Sequence, residues 1–306
     1  DLPHDWVVDL PYSGDASHSH GYKTVGFEYP ETSVGWYRKT FTVPADDYGK
    51  HIWLQFDGIF RDSQVWVNGF YLGHEVSGYA TQTYDISEYL NYGGENVVCV
   101  RADATLEEGW FYEGAGIYRH VWLNKASKVH VAPFGTFVHS RFNLNYDDCG
   151  GCAACIGKPQ LDMAYLHVET TVENMGVKHA DYSLKHTLID AEGRKIAEAA
   201  VGERQILAKA SNLSEVSMEV AKPHLWTCDD PYLYTVITEV ICDGEVVDTY
   251  STTTGIRHIA FNNDNGFLLN GEVVKLKGVN LHQDHAGVGS SIPDGLQEWR
   301  LIQLKK

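Results

Sequence analysis

The chain has 306 residues, 43% of them hydrophobic, and carries 24 Lys and Arg against 41 Asp and Glu, a formal net charge of −17. A surface this acidic repels a phosphate backbone, which argues against nucleic acid as a partner, and it suits a neutral ligand such as a sugar. No apolar run approaches the roughly 20 residues of a membrane-spanning helix, and the apolar content is enough for two or three domains with their own cores.

The opening residues, D-L-P-H-D-W, read as the middle of a strand-and-loop region, with no starting Met and no signal peptide. The N-terminus is therefore expected to be trimmed, and the compartment stays open between periplasmic or secreted and cytoplasmic. Residues 33–127 carry strand signals. In S-V-G-W-Y-R-K-T-F-T-V, Tyr37, Phe41 and Val43 fall on one face and Arg38, Thr40 and Thr42 on the other. Ile52, Leu54 and Phe56 alternate in the same way. Asn68-Gly69 between two apolar runs predicts a hairpin, because a type I′ turn needs positive φ at both central residues. Cys99 alternates within an apolar strand and reads as core. His18 and His20 read as a polar surface loop. The spacing of these strands predicts a jelly-roll β-sandwich over 1–127.

A second β segment follows over 128–258. L-H-V-E-T-T-V-E-N alternates, A-E-G at 191–193 marks a turn, and Asp243-Gly244 separates two further strands. Roughly seven strands in this length predict an immunoglobulin-like sandwich. Cys149, Cys152 and Cys155 lie in C-G-G-C-A-A-C, which reads as a Gly/Ala loop between strands; a metal or iron–sulfur role is the competing reading. No disulfide framework is expected in a chain of this size. Asn212-Leu213-Ser214 matches a glycosylation sequon.

The third segment, 259–306, changes character. G-F-L-L-N-G-E-V-V-K-L-K-G-V-N-L predicts a hairpin at Asn270-Gly271 and an apolar strand continuing through Leu281. A loop holding His282, Asp284 and His285 follows. Leu296, Trp299, Leu301, Ile302 and Leu304 then trace a helical face, with Asp294 as its N-cap. Strand, loop and helix make one βα unit, which resembles the first eighth of a parallel (β/α)8 barrel, whose active-site loops follow its strands. Standing alone, such a unit leaves Trp299 and Leu304 exposed. The predicted class is thus mainly β, with a truncated barrel at the end.

Seven motifs in order along the whole chain resemble glycoside hydrolase family 2, and its β-galactosidase-like branch in particular. They are L-P-H-D-W at 2–6, V-W-V-N-G at 65–69, E-G-A-G-I-Y-R at 113–119, L-W at 225–226, P-Y-L-Y at 231–234, G-I-R at 255–257 and L-K-G-V-N-L-H-Q-D-H at 276–285. The resemblance implies a retaining exo-glycosidase acting on terminal β-galactosides, with β-glucuronides and β-mannosides as alternatives. Its two catalytic glutamates lie on later barrel strands, about 5–5.5 Å apart. A barrel needs about 250 residues, and only 46 follow Ala260. The resemblance therefore implies an N-terminal, non-catalytic portion, with both glutamates beyond Lys306.

The same resemblance makes His282, Asp284 and His285 substrate contacts, since imidazole and carboxylate together offer donor and acceptor to a pair of hydroxyls. It places the loops 60–63 and 107–116 at the wall of the sugar site, where Arg61, Trp110 and Glu113 are the candidates. No carboxylate pair is supported among Glu107, Glu108 and Glu113, and Asp5, Trp6 and Arg119 read as structural. H-Q-D-H has a competing reading as metal ligands, but no metal is expected in this chain; Mg or Na ions are left for the whole enzyme. The implied partners are a carbohydrate and the remaining barrel of the same polypeptide, with a homo-oligomer left open. The rival to the enzyme reading is a stand-alone carbohydrate-binding module.

Overall fold

The computed structural model describes residues 1–146 and 157–306, so Cys149, Cys152 and Cys155 lie outside the described residues. The chain divides into two compact units, one of Asp1–Lys125 with Val279–Lys306 and one of Ala126–Gly278.

In the first unit a short helix, α1 (Pro30–Ser33), leads into β1 (Val34–Thr42), β2 (His51–Phe56), β3 (Ser63–Val67), β4 (Phe70–Glu75), β5 (Gln82–Asp85), β6 (Glu95–Asp103) and β7 (Val121–Ala126). They form two sheets, ordered β1-β6-β3-β4 and β5-β2-β7. Each strand turns alternate side chains inward, so Ile52, Leu54, Phe56, Val65, Val67 and Val100 meet in one core. The expected turn forms: Asn68 and Gly69 have φ of 51° and 86° between β3 and β4. Asn68 Nδ2 also donates to the Tyr89 carbonyl at 2.7 Å, which pins the turn to the next segment.

Cys99 departs from its expected place in the core. It is half-buried and pairs in register with Arg38 on one side and Trp66 on the other, while its neighbour Val100 points inward. Four apolar residues in a row, Val97, Val98, Cys99 and Val100, hid which phase of the alternation is inward. His20 also departs from the surface reading. It sits in a single helical turn, His18–His20, and its ring is buried edge-on against Phe60.

The second unit contains β8 (Val129–Asn145), β9 (Lys158–Asn174), β10 (Ala180–Ile189), β11 (Lys195–Ile206), β12 (Ser211–Ala221), β13 (Tyr234–Cys242) and β14 (Glu245–Thr254). They make an antiparallel sandwich of β11-β10-β13-β14 against β12-β9-β8. Leu166, Val168, Leu188, Met218 and Val236 fill one part of its core, and Val172, Tyr182, Leu184 and Val240 another. The Asp243-Gly244 turn has positive φ at both residues and joins β13 to β14. A small sheet of β15 (Ile259–Asn262), β16 (Gly266–Leu269) and β17 (Glu272–Val273) ends the unit, with the expected Asn270-Gly271 turn between its last two strands.

The strand expected to run through Leu281 stops at Val273. Residues 274–284 form no strand, and Leu276, Val279 and Leu281 are exposed. A strand needs a neighbour for its N–H and C=O groups; Val274 still donates to the Phe267 carbonyl at 3.0 Å, but no ladder continues beyond it among the described residues. The helix does form, as α2 (Asp294–Lys305), and it buries none of its residues; Trp299 and Leu304 are exposed. Pro293 takes the N-cap position expected for Asp294 and makes no side-chain capping bond. The Asp294 carboxylate instead meets His120 Nε2 at 3.0 Å. Among the described residues no helix is long and apolar enough to cross a membrane.

Candidate functional site

The expected sugar-site residues lie in the first unit, where they are assembled around a buried carboxylate. Asp5 Oδ1 accepts from the amides of Val7 and Ala115, both at 3.0 Å. Its Oδ2 accepts from the Tyr112 hydroxyl at 2.8 Å and from the Ser290 amide at 2.9 Å. One side chain thus ties together the N-terminal segment, the loop 107–116 and the segment before α2. Gly114 and Gly289 make room for it. Both have positive φ, and a Cβ on either would fall 2.2 or 2.1 Å from Asp5 Oδ2. Burial, reinforced by the Asp5 charge, pushes the Tyr112 phenol up, so it remains a donor.

The loop 107–116 is braced from inside. Glu113 is buried, and its carboxylate accepts from the Glu108 amide at 3.0 Å and from the Tyr79 hydroxyl at 3.0 Å. Burial pushes its carboxyl up, against the pull of those hydrogen bonds. Arg61 is buried too. Its guanidinium pairs with the Glu108 carboxylate at 2.9 Å and reaches the Glu107 and Val76 carbonyls at 3.4 Å. Glu107 itself bonds the Ser17 hydroxyl. The three glutamates of this loop therefore hold its shape, each carboxylate engaged by a donor of the fold.

What the loop presents outward is aromatic. Trp110 is 90% exposed, with only an edge contact to His18 at 6.3 Å. Phe111 lies 5.5 Å from the His282 ring. The next residue, Gln283, accepts from Arg119 at 3.1 Å, and the His282 carbonyl accepts from Arg300 of α2 at 3.2 Å. Asp284 lies close enough for its charge to raise the Tyr112 phenol further. His285 closes a tight loop onto Gly289, and its Nδ1 lies 3.0 Å from the Ala286 carbonyl. The structure thus brings His282 and Asp284 beside the loop that carries Trp110, with Arg61 and Glu113 behind it. Exposed rings, an imidazole and a carboxylate are thereby gathered along one loop and the segment beside it.

Reading the residues in line missed Tyr79, Phe111, Tyr112 and Ser290. Each acts through a partner distant in sequence, and only the Gly-rich context of Gly114 and Gly289 hinted at a close approach. Among the described residues no group of three His, Cys, Asp or Glu side chains is gathered for a metal, at H-Q-D-H or elsewhere.

Residues 25–127 match the family model described as glycosyl hydrolases family 2, sugar binding domain, and residues 158–257 match the one described as glycosyl hydrolases family 2. The chain is 36% identical to beta-galactosidase BoGH2A of Bacteroides ovatus, over 100% of its own length and 34% of that protein's. It is 28% identical to a beta-glucuronidase of Formosa agariphila, over 95% of its own length and 30% of the relative's. A crystal structure of a glycosyl hydrolase family 2 member from Bacteroides cellulosilyticus superimposes with a TM-score of 0.84 at 31% identity, over 100% of this chain and 39% of that one. The chain spans about a third of the length of these relatives and falls in their N-terminal portion. With both sandwiches matched in order by models of one family, the chain belongs to glycosyl hydrolase family 2.

Proposed function

We propose that this chain is the non-catalytic N-terminal portion of a retaining exo-glycosidase that removes terminal β-galactosyl or related residues. The observation that carries the reading is the packing of the Phe111 ring on His282 at 5.5 Å, in the loop that also exposes Trp110, with Asp284 near Tyr112 of the same loop. In this reading Trp110 stacks against the sugar, while His282 and Asp284 bond its hydroxyls. His285, Arg61 and Glu113 hold the segments that present them. The acid and the nucleophile come from the remainder of the polypeptide, as do any Mg or Na ions, because the glutamates here are engaged in loop bracing. A β-galactoside is the leading substrate, as the 36% identical relative is named a beta-galactosidase; β-glucuronide and β-mannoside are the alternatives.

The test compares the 306-residue chain with the full-length protein on chromogenic β-galactoside, β-glucuronide and β-mannoside. Full-length protein is expected to cleave the galactoside with retention at the anomeric carbon, and the 306-residue chain to cleave none of the three. Turnover by the purified 306-residue chain would overturn the non-catalytic reading. A preference for the glucuronide or mannoside in the full-length protein would replace the substrate.

A further inference from the structure

The outer face of the β1-β6-β3-β4 sheet carries a row of aromatic rings that the loop site does not use. Trp36 on β1 pairs with Arg101 of β6, and Trp66 on β3 pairs with Cys99 of the same strand. The two indoles therefore flank β6 on the face opposite the core residue Val100. They lean together to a centroid separation of 5.5 Å with their planes 29° apart. Tyr71 on β4 extends the row, 5.5 Å beyond Trp66. Trp36 is 63% exposed and Tyr71 53%. Among the described residues neither indole N–H has a protein acceptor. Beside the rings lies a polar pair, Arg101 Nη2 on Asp103 Oδ2 at 2.7 Å.

We propose that this row is an accessory docking surface for a neutral glycan chain, outside the loop site. Aromatic faces are electron-rich, and the C–H face of a pyranose is the complementary surface. The free indole N–H groups and the Arg101–Asp103 pair supply donors and acceptors for the hydroxyls at its edge. Three rings in line across three strands suit a chain of sugars better than a single one. Charge selects among occupants. A chain of net charge −17 repels both a second copy of itself and a polyanionic glycan, and leaves a neutral glycan unopposed. A three-ring strip is also small beside the roughly 800 Å² per partner of a stable protein interface. The strip lies within residues 25–127, the segment that matches the sugar binding domain. The proposal rests on the carbohydrate reading above for its class of ligand, but not on the loop residues.

The experiment is affinity electrophoresis of full-length protein in gels containing β-1,4-galactan or xyloglucan as neutral probes and polygalacturonate as the acidic one. At least one neutral polysaccharide is expected to slow migration about twofold. Trp36→Ala, Trp66→Ala and the peripheral Tyr71→Ala are each expected to restore most of the mobility, with turnover of a small chromogenic β-galactoside and the thermal midpoint unchanged. Four results would overturn the proposal: no retardation by either neutral polymer, retardation by polygalacturonate alone, retardation that survives all three substitutions, or a dimer in sedimentation that Trp36→Ala dissociates. Absence of chromogenic turnover in the unsubstituted protein would count against the glycosidase reading and leave the electrophoretic result standing.

Discussion

The Asp5 carboxylate accepts a hydrogen bond from the Ser290 amide at 2.9 Å, across 285 positions of sequence. The same carboxylate holds the Tyr112 hydroxyl and the Ala115 amide, so the segment bearing His282 and the loop bearing Trp110 share one anchor. Asp5→Ala strands several buried donors at once. It should lower the unfolding free energy by about 3 kcal/mol, the scale of losing charged hydrogen bonds in a buried place. Urea unfolding measures the loss, and hydrogen exchange should quicken at Ala115 and Ser290. Unchanged protection at both amides would remove Asp5 from its anchoring role.

Gly114→Ala and Gly289→Ala probe the same anchor from the other side. Each adds a Cβ within van der Waals radii of the carboxylate, at a φ of 66° or 59° that L side chains rarely adopt. Both should destabilise the unit by more than the roughly 1 kcal/mol of an ordinary backbone penalty. A thermal midpoint equal to that of the unsubstituted protein would show that the carboxylate moves aside freely.

The Tyr79 hydroxyl is one of the donors that keep the Glu113 carboxylate satisfied in its buried position. Tyr79→Phe removes that donor and should cost about 1 kcal/mol. Because the loss falls on the loop 107–116, limited proteolysis there should accelerate before any global unfolding is detected. Cleavage that is no faster than in the unsubstituted chain would mean that Glu108 and Arg61 hold the loop without help.

Trp110 and His282 are expected to matter for sugar binding rather than for folding. Trp110 makes only an edge contact, so Trp110→Ala should leave stability within about 0.5 kcal/mol of the original. In full-length protein, Trp110→Ala and His282→Ala should each raise KM for a chromogenic β-galactoside about tenfold. Steady-state kinetics that return the original KM for both would detach this surface from the sugar site.

His186, buried in the second unit with its Nδ1 3.0 Å from the Thr238 hydroxyl, has its pKa lowered by burial to about 4. Its ordinary value is 6.5, so between pH 6.5 and 4 the unfolded chain binds a proton that the folded chain refuses. Its contribution is therefore intact above pH 6.5 and is lost as pH falls toward 4, by at most about 3 kcal/mol for a shift of this size. Burial lowers His130 and His20 in the same direction. Urea titrations at pH 7 and pH 4.5 should show the loss, and His186→Gln should show a smaller one. An equal acid loss in His186→Gln would assign the effect to other groups.

Much of the architecture was legible in line because it rests on short-range rules. Alternation at period two named Ile52, Leu54 and Phe56 as a core face. Asn68-Gly69, Asp243-Gly244 and Asn270-Gly271 marked turns because few residues tolerate positive φ in succession. The helical spacing of Leu296 to Leu304 located α2. Those features need only a residue and its near neighbours.

The tertiary structure decided whatever depends on a distant partner. The apolar run through Leu281 looks like one strand, yet among the described residues its sheet pairing ends at Val273, and 274–281 form no strand. Cys99 reads as core until the register with Arg38 and Trp66 places it on the outer face. Arg61 and Glu113 read as groups facing a sugar; in the structure both are buried, beside Glu108 and Tyr79, where they brace the loop 107–116. Asp5 reads in line as structural, but nothing local names its distant partners. A buried carboxylate is stable only where its oxygens are filled, and apart from the nearby Val7 amide the donors that fill them come from two distant stretches, at 112–115 and at 290, that only folding brings to it.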